Sequence, residues 1–325
     1  MALSQKLQYL HRTFLKNIFM SLLVVGTVAF DDVETPFGRA EKIVGGAATY
    51  ISLAAAYFTK SVNLVSVIGD DFPEETLDHM RASGINLDGL QVKAGEKSFF
   101  WAGRYHQNMN DRDTLDTQLN VLADFDPVLP EAYRNANYVM LGNLTPAVQM
   151  RVLDQLAVRP HMVVLDTMNF WMNTAMEELL EVLKRIDVLT INDEEARQLS
   201  GERSLVKAAE VILRMGPRFL VVKKGEHGAL LFSENQIFFA PALPLAEVFD
   251  PTGAGDTFAG GFIGYLASTQ DTSFENMKRA VIYGSAMASF CVEKFGVERV
   301  KSLNDEMITD RVLRFVDLVN FDARL

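Results

Sequence analysis

Cys291 is the sole cysteine of this 325-residue chain. No internal disulfide can form, and a reducing cytoplasm is the expected compartment. The five histidines, His11, His79, His106, His161 and His227, show no metal-ligand spacing, which argues against a structural zinc site. No apolar run reaches the roughly 18–20 residues that a membrane span needs. Basic residues are outnumbered, 31 against 42 acidic, for a net charge of −11. Non-specific binding to nucleic acid is therefore disfavoured, and any anion site has to be built locally from backbone amides, helix ends and a few lysines or arginines.

What is present is the ordinary balance of a globular enzyme, about half apolar. The first nineteen residues, MALSQKLQYLHRTFLKNIF, stand apart. They carry Lys6, Arg12 and Lys16 but no acid, with Leu3, Leu7, Leu10, Phe14 and Ile18 at helical spacing. Two readings fit: an organellar targeting helix, or an extension upstream of a fold that spans residues 20–325. The second is preferred, because the first strand pattern follows directly.

From there short β-branched runs alternate with longer helical patterns. Strands are expected over 22–27, 62–68, 138–141, 162–165, 188–191 and 219–223, with helices over 47–58, 74–82, 147–156, 173–183, 194–199 and 205–215. After residue 250 the pattern turns helical, over 254–268, 273–294 and 305–319. Such alternation predicts an α/β fold with a mainly parallel sheet flanked by helices. Residues 30–44 and 92–125 break it. They read as strand-and-loop material that would form a small lid, the second stretch being dense in Trp101, Arg104, Tyr105, Asn110 and Arg112.

The segment 250–262, DPTGAGDTFAGGF, carries the most chemistry. Gly253 and Gly255 remove side chains where backbone would approach a ligand, and the amides of Gly253, Ala254 and Gly255 open a helix. That combination is an anion site. Asp256 sits beside it with two readings open: a helix-capping aspartate, or a base that accepts the proton of an attacking hydroxyl while the amides hold phosphoryl charge. Asn192 and Glu195, three apart at a helix start, can face one spot as a magnesium site or form a capping box. Lys223 and Lys224 end a strand pattern beside Gly225, where one of them is placed to meet a phosphate and solvent is the alternative.

The 250–262 segment resembles the C-terminal signature of the ribokinase-like carbohydrate kinases, the PfkB family, and further pieces match in chain order. Gly26 with Asp31 resembles the first strand and the substrate aspartate. Gly45-Gly46 resembles the twin glycines of the sugar pocket. Asn192-Asp-Glu-Glu195 resembles the element that organises magnesium through water, and Gly225-Glu-His-Gly228 the nucleotide turn.

The resemblance implies a three-layer ribokinase-like fold with a β lid and an ATP- and Mg2+-dependent kinase of a sugar or sugar-like acceptor. Asp256 is its implied base and the 253–255 loop its anion hole. Asp31, Gly45, Gly46, Tyr50, Trp101 and Arg104 would bind the acceptor. Asn192, Lys223, Gly225 and Gly228 would bind ATP, with Asn192 and Glu195 serving magnesium through water. Asp250 and Thr252 lie where the family has a monovalent-cation loop, so K+ joins the expectation. A homodimer remains an open option.

Three positions depart from the family pattern. Tyr50 and Ala29 stand where ribose or adenosine binders carry asparagine, and Lys223-x-Gly225 replaces Thr-x-Gly. The first two put a simple ribose acceptor in doubt without touching phosphoryl transfer. A nucleoside kinase, with Tyr50, Phe100 or Trp101 stacked on a base, is the alternative. A kinase-derived regulator without turnover is disfavoured because Asp256, the glycine loop and Asn192/Glu195 are intact. The Gly-x-Gly-x-x-Gly fingerprint of dinucleotide enzymes is absent after the first strand. Asp166, Asn169 and Asn143 lie at expected strand ends, where ligands of open α/β sheets collect, with Asn169 a weak candidate for the site.

Overall fold

A computed structural model describes residues 20–320. The expected extension over residues 1–19 lies outside the described residues. Nine strands form the central sheet, in the order β13-β12-β11-β10-β9-β8-β1-β4-β5. They are β1 (Leu22–Val25), β4 (Val62–Gly69), β5 (Ile85–Lys93), β8 (Tyr138–Leu141), β9 (Met162–Asp166), β10 (Val188–Asn192), β11 (Phe219–Lys223), β12 (Ala229–Phe232) and β13 (Ile237–Ala240). Pairing is parallel from β5 through β11, and β12 and β13 add an antiparallel edge.

Strands β1, β4, β8 and β9 are buried along their length, as a parallel sheet covered on both faces requires. Alternate residues feed two cores. Leu22 and Val24 face helices α1 (Ala47–Ala55), α8 (Ala254–Thr269) and α9 (Phe274–Cys291). Leu23 and Val25 face α3 (Pro146–Asp154), α5 (Met176–Leu183), α6 (Asp193–Ser200) and α7 (Leu205–Leu213). The expected three layers are therefore present. The remaining helices are α2 (Glu74–Ala82), α4 (Asn169–Thr174) and α10 (Asp305–Leu318).

The six expected strands all form, but β5, β12 and β13 were not anticipated. The helix expected over 173–183 is two helices, broken at Ala175, whose φ of −147° leaves the helical region. The two irregular stretches meet each other. β2 (Ala29–Thr35) and β3 (Gly38–Gly45) pair antiparallel, and β2 pairs in parallel with β6 (Phe99–Tyr105), which turns back into β7 (Arg112–Gln118). This four-stranded sheet is tied to the main body where Tyr105 Oη meets Thr252 Oγ1 at 3.3 Å. It also meets the main body where Asn110 comes against Gly225.

Candidate active site

The carboxyl ends of β9, β10 and β11 deliver Asp166, Asn192 and Lys223 to one place, facing the start of α8. Parallel register sets this up, with Asn192 opposite Lys223 and Thr190 opposite Asp166. Lys223 Nζ donates to Asp166 Oδ2 at 2.5 Å in a nearly buried ion pair. The same ammonium touches the anion loop: a Cβ added at Gly255 would lie 3.1 Å from Lys223 Nζ. Gly253 caps α8 with φ +73°, and a Cβ there would overlap the Tyr50 ring. Both glycines are thus required by close approach, Gly253 also by its left-handed backbone. Gly260 and Gly261, one turn on, serve packing instead. They lie against Ile51 of α1 and Met287 of α9.

Asp256 lies in the first turn of α8, but Gly253 is the N-cap and no side chain caps this helix, so the capping alternative fails. Burial drives the Asp256 carboxyl up to about 7. The Asp166 charge adds to the rise, while Lys223 and Arg112 oppose it and Glu195 supports it. The Ala254 amide is engaged with the Pro251 carbonyl at 3.2 Å, so a carboxylate poised near neutral pH beside an ammonium and the helix-start amides of Gly253 and Gly255 can take a proton and hold phosphoryl charge in one space.

The Asn192 and Glu195 pair does form a capping box. Asn192 Oδ1 accepts from the Glu195 amide at 2.8 Å, and Glu195 Oε2 accepts from the Asn192 amide at 2.8 Å. The Asn192 oxygen is therefore engaged in the helix start. Glu195 keeps a second oxygen, and its carboxyl is raised to about 7 by burial and then by Asp166, against Lys223, the Asn192 amide and Arg112. For Lys223, burial pulls the ammonium down, but Asp166 and Glu195 outweigh it and hold it above its usual range. Three carboxylates, Asp166, Glu195 and Asp256, thus crowd one lysine. That surplus fits a divalent cation arriving with a triphosphate. Among the described residues no three His, Cys, Asp or Glu side chains could hold a metal unaided, so phosphate oxygens and water would supply the rest.

On the other flank, β2 and the turn into α1 build a second recess. The Gly46 amide donates to the Asp31 carboxylate, and a Cβ at Gly45 would overlap that carboxylate. Asp31 is buried, while Asp32 turns the other way and accepts from the Lys42 amide at 2.6 Å, as strand alternation predicts. Burial first, then the Asp250 and Asp256 charges, raise the Asp31 carboxyl to about 8, so Asp31 and Asp256 lie near enough to feel each other's charge. Asp250 accepts from the Thr252 amide at 2.8 Å and the Gly296 amide at 2.9 Å, bracing the loop with both oxygens. Its burial is accounted for without potassium.

Two expected acceptor residues are placed differently. Tyr50 is 1% exposed and packs behind Gly253, so its ring cannot stack on a base. Its hydroxyl finds no hydrogen-bond partner among the described residues. Arg104 lies on the outer face of the small sheet, paired bidentately with Glu34 at 2.9 and 3.1 Å. Trp101 keeps the cleft face, its ring lying over Gly103 and its indole donating to Thr114 Oγ1 at 3.3 Å. Phe100, its neighbour, packs into the core. Asn169 opens α4, and Asn143 accepts from the Trp171 indole at 2.8 Å. Gly225, with φ +52°, and Gly228, with φ +87°, form the turn that follows β11. Asp166, noted in the sequence only for its place at a strand end, was given no role in the site. Its signal was a carboxylate ending an otherwise apolar buried strand.

Comparison with known proteins agrees with this geometry. The model of the pfkB family carbohydrate kinases matches residues 16–302. A cytidine kinase of Thermococcus kodakarensis is 30% identical over 249 residues, covering 75% of this chain and 87% of its own. Among solved structures, the Methanocaldococcus jannaschii nucleoside kinase superposes with a TM-score of 0.72 at 20% identity, over 91% of this chain and 99% of its own. A putative ribokinase II of Escherichia coli in complex with ATP and Mg2+ gives 0.75 at 18% identity, over 91% and 99%. No helix among the described residues is long and apolar enough to cross a membrane. The chain belongs to the pfkB carbohydrate kinase family, with the ribokinase-like fold, and is an ATP-dependent phosphotransferase acting on a sugar or nucleoside.

Proposed function

We propose that Asp256 is the general base of this kinase and that the 253–255 loop, with Lys223, holds the transferring phosphoryl group. The observation that carries this reading is the placement of Lys223 Nζ beside Gly255, with the Asp256 carboxyl next to both and pushed up to about 7. The acceptor lies between Asp31 and Asp256. Asp31 accepts hydrogen bonds from neighbouring hydroxyls and so orients the one that reacts. Its oxygen attacks the γ-phosphorus of ATP while Asp256 takes the proton. The bond from the γ-phosphorus to the β–γ bridging oxygen breaks, and its electron pair leaves on ADP. Glu195 would hold magnesium through water together with phosphate oxygens, and the ion would supply charge neutralisation. The chain's own work is positioning and electrostatics, which dominate phosphoryl transfer.

Asp256→Asn should lower kcat by about 10²–10⁴ with little change in ATP affinity, because removing a base acts on the transition state. The wild-type rate should also fall as pH drops through about 7, where protonation silences Asp256. A variant that turns over normally, or an acid limb that survives in it, would show that the base lies elsewhere.

Among acceptors, a nucleoside is favoured over a free sugar by one feature. Trp101 puts an aromatic face on the cleft side of the small sheet, next to Asp31 in register. The similarity to a cytidine kinase points the same way. A panel of sugars and nucleosides, read by ADP release, decides between them. Turnover of sugars alone would remove the nucleoside reading and leave the chemistry at Asp256 intact.

A further inference from the structure

Glu293 follows α9 and takes no part in the chemistry above, yet two arginines converge on it. Arg299 Nε donates to Glu293 Oε2 at 2.7 Å, and Arg311 Nη2, from α10, donates to Glu293 Oε1 at 2.6 Å. Arg311 is 8% exposed, and its Nη1 donates to Ser289 Oγ at 2.8 Å. Both guanidinium groups lie over the Phe290 ring, at 3.7 Å from its centroid for Arg311 and 5.3 Å for Arg299. Holding charges in such a place costs desolvation, which only close pairing offsets. The pairing makes a clasp. Glu293 and Arg299 close the loop between them at its neck, and Arg311 pins that neck to α10.

The crown of the same loop reaches the anion site. The Gly296 amide donates to Asp250 Oδ2 at 2.9 Å, from a left-handed backbone with φ +59°. Asp250 Oδ1 accepts from the Thr252 amide at 2.8 Å, one residue before Gly253. The Val292 carbonyl, at the foot of the loop, accepts from the Phe249 amide at 2.8 Å and the Asp250 amide at 3.4 Å. Residues 249–252 are thus laced to 292–296. Asp250 is wholly buried, and burial raises its carboxyl while the Gly296 and Thr252 donors pull it back. Without the Gly296 amide, one oxygen of a buried carboxylate would lose its partner, so the 250–252 turn would have to shift. The loop also supports the β2–β3 hairpin. A Cβ on Gly296 would lie 3.2 Å from Ile43 Cδ1, and the Phe295 ring comes against Gly38.

We propose that Glu293 is a positioning residue for phosphoryl transfer: clasped by Arg299 and Arg311, it holds the Gly296 amide on Asp250 and thereby sets where the Gly253 and Gly255 amides point. The anion loop has no side-chain cap of its own, and Gly253 lies in a left-handed conformation that glycine leaves as readily as it enters. Its geometry is therefore imposed from outside, by the Tyr50 ring behind it and by the Asp250 turn before it. Preorganised donors stabilise a transition state only while they stay fixed, and a misplacement of about 1 Å can cost about 10²-fold in rate. The clasp supplies that fixity from a distance, without Glu293 or either arginine touching a ligand. Through it α10 becomes part of the framework of the site. This inference rests on the assignment of the anion loop, and the test keeps the two apart.

The experiment compares Glu293→Ala, Glu293→Gln, Asp187→Asn and Asp256→Asn in the full chain, assayed well below every melting temperature. Asp187 is the control for stability alone: it is buried, pairs with Arg159 at 2.9 Å and precedes β10, at the sheet end away from the site. Glu293→Ala should lose about 10–10²-fold in kcat, with the KM for ATP and for the acceptor each within about threefold of wild type. ADP with aluminium fluoride should bind it about tenfold more weakly, while ADP alone binds equally. Backbone hydrogen exchange over residues 249–256 should quicken in the same variant. Glu293→Gln keeps the shape and one acceptor, so its loss should be smaller, about 3–10-fold; it carries the same comparison if Glu293→Ala does not fold. Asp187→Asn should melt lower with kcat and exchange over 249–256 unchanged. If both Glu293 variants keep kcat within about twofold while Asp256→Asn is inactive, the clasp falls and the anion-loop reading stands. If Asp256→Asn is also active, both fall. A loss of kcat with unaltered exchange over 249–256, or an equal loss in Asp187→Asn, would overturn the proposal in favour of a general stability effect.

Discussion

Asp31 illustrates how a single residue can serve the site at a cost to the fold. Its carboxyl rises from an ordinary 3.8 to about 8, first because it is buried and then because Asp250 and Asp256 lie near. Between those two values the folded chain holds a proton that the unfolded chain releases. Folding is therefore favoured at the acid end, and this stability is lost as pH climbs toward 8, by at most about 1.4 kcal/mol per pH unit. Asparagine copies the neutral form at every pH. Asp31→Asn should accordingly melt several degrees above wild type at pH 8, by roughly 2–4 °C for each kcal/mol, and the gap should narrow as pH falls and close only near pH 4, the ordinary value of the carboxyl. Acceptor turnover should fall at the same time. A gap that is constant with pH, or reversed, would mean that Asp31 is not held against its charge. The same crowding explains why Glu195 and Asp256 sit near 7: a site built to receive a highly charged ligand carries its mismatch while empty.

At the scale of elements, helix α8 joins the chemistry to the core. Its amides and Asp256 face the cleft, while Gly260 and Gly264 let it press against α1. A Cβ at Gly260 would run into the Ile51 carbonyl, and one at Gly264 would lie 2.8 Å from Ala55 Cα. Backbone cannot yield as a side chain can, so Gly260→Val should destabilise by about 1–3 kcal/mol through overpacking. Denaturant unfolding would read it, and a midpoint equal to wild type would show that α1 and α8 separate freely.

This helix was legible from sequence because its glycines, Asp256 and apolar run all act locally. The same holds for the buried strands, whose β-branched runs declare themselves. The edge strands did not: β5 mixes Asn86, Asp88 and Gln91 into its run, and β12 and β13 are four residues each. The lid was legible as strand-and-loop material but not in its pairing, since β2 meets β6 across more than sixty residues of chain. Arg104 and Arg112 could not be sorted from sequence for the same reason. Which face each takes depends on register across the hairpin, including the irregularity opposite Ala102 and Gly103. Tyr50 was misread because nothing local announces that Gly253 will close over its ring.

For the whole molecule, the small sheet touches both binding recesses. Its β2 and β3 supply Asp31 and Gly45 to the acceptor side, and its β6–β7 turn brings Asn110 against Gly225 on the nucleotide side. Either ligand therefore gains by holding that sheet in the seated position, and the ordering cost is met by whichever binds first. The two should bind with positive coupling of about 1 kcal/mol or more, a fivefold or greater gain in affinity. Calorimetric titration of a non-hydrolysable ATP analogue, with and without the acceptor found by the turnover panel, measures it directly. Thermodynamic reciprocity requires the same factor when the acceptor is titrated into the analogue complex. Truncating the hairpin tip over residues 106–111 should erase the coupling while leaving each single-ligand affinity close to its wild-type value. Independent binding in the intact chain would mean that the sheet is already rigidly seated, and that the two recesses communicate only through the γ-phosphoryl group they share.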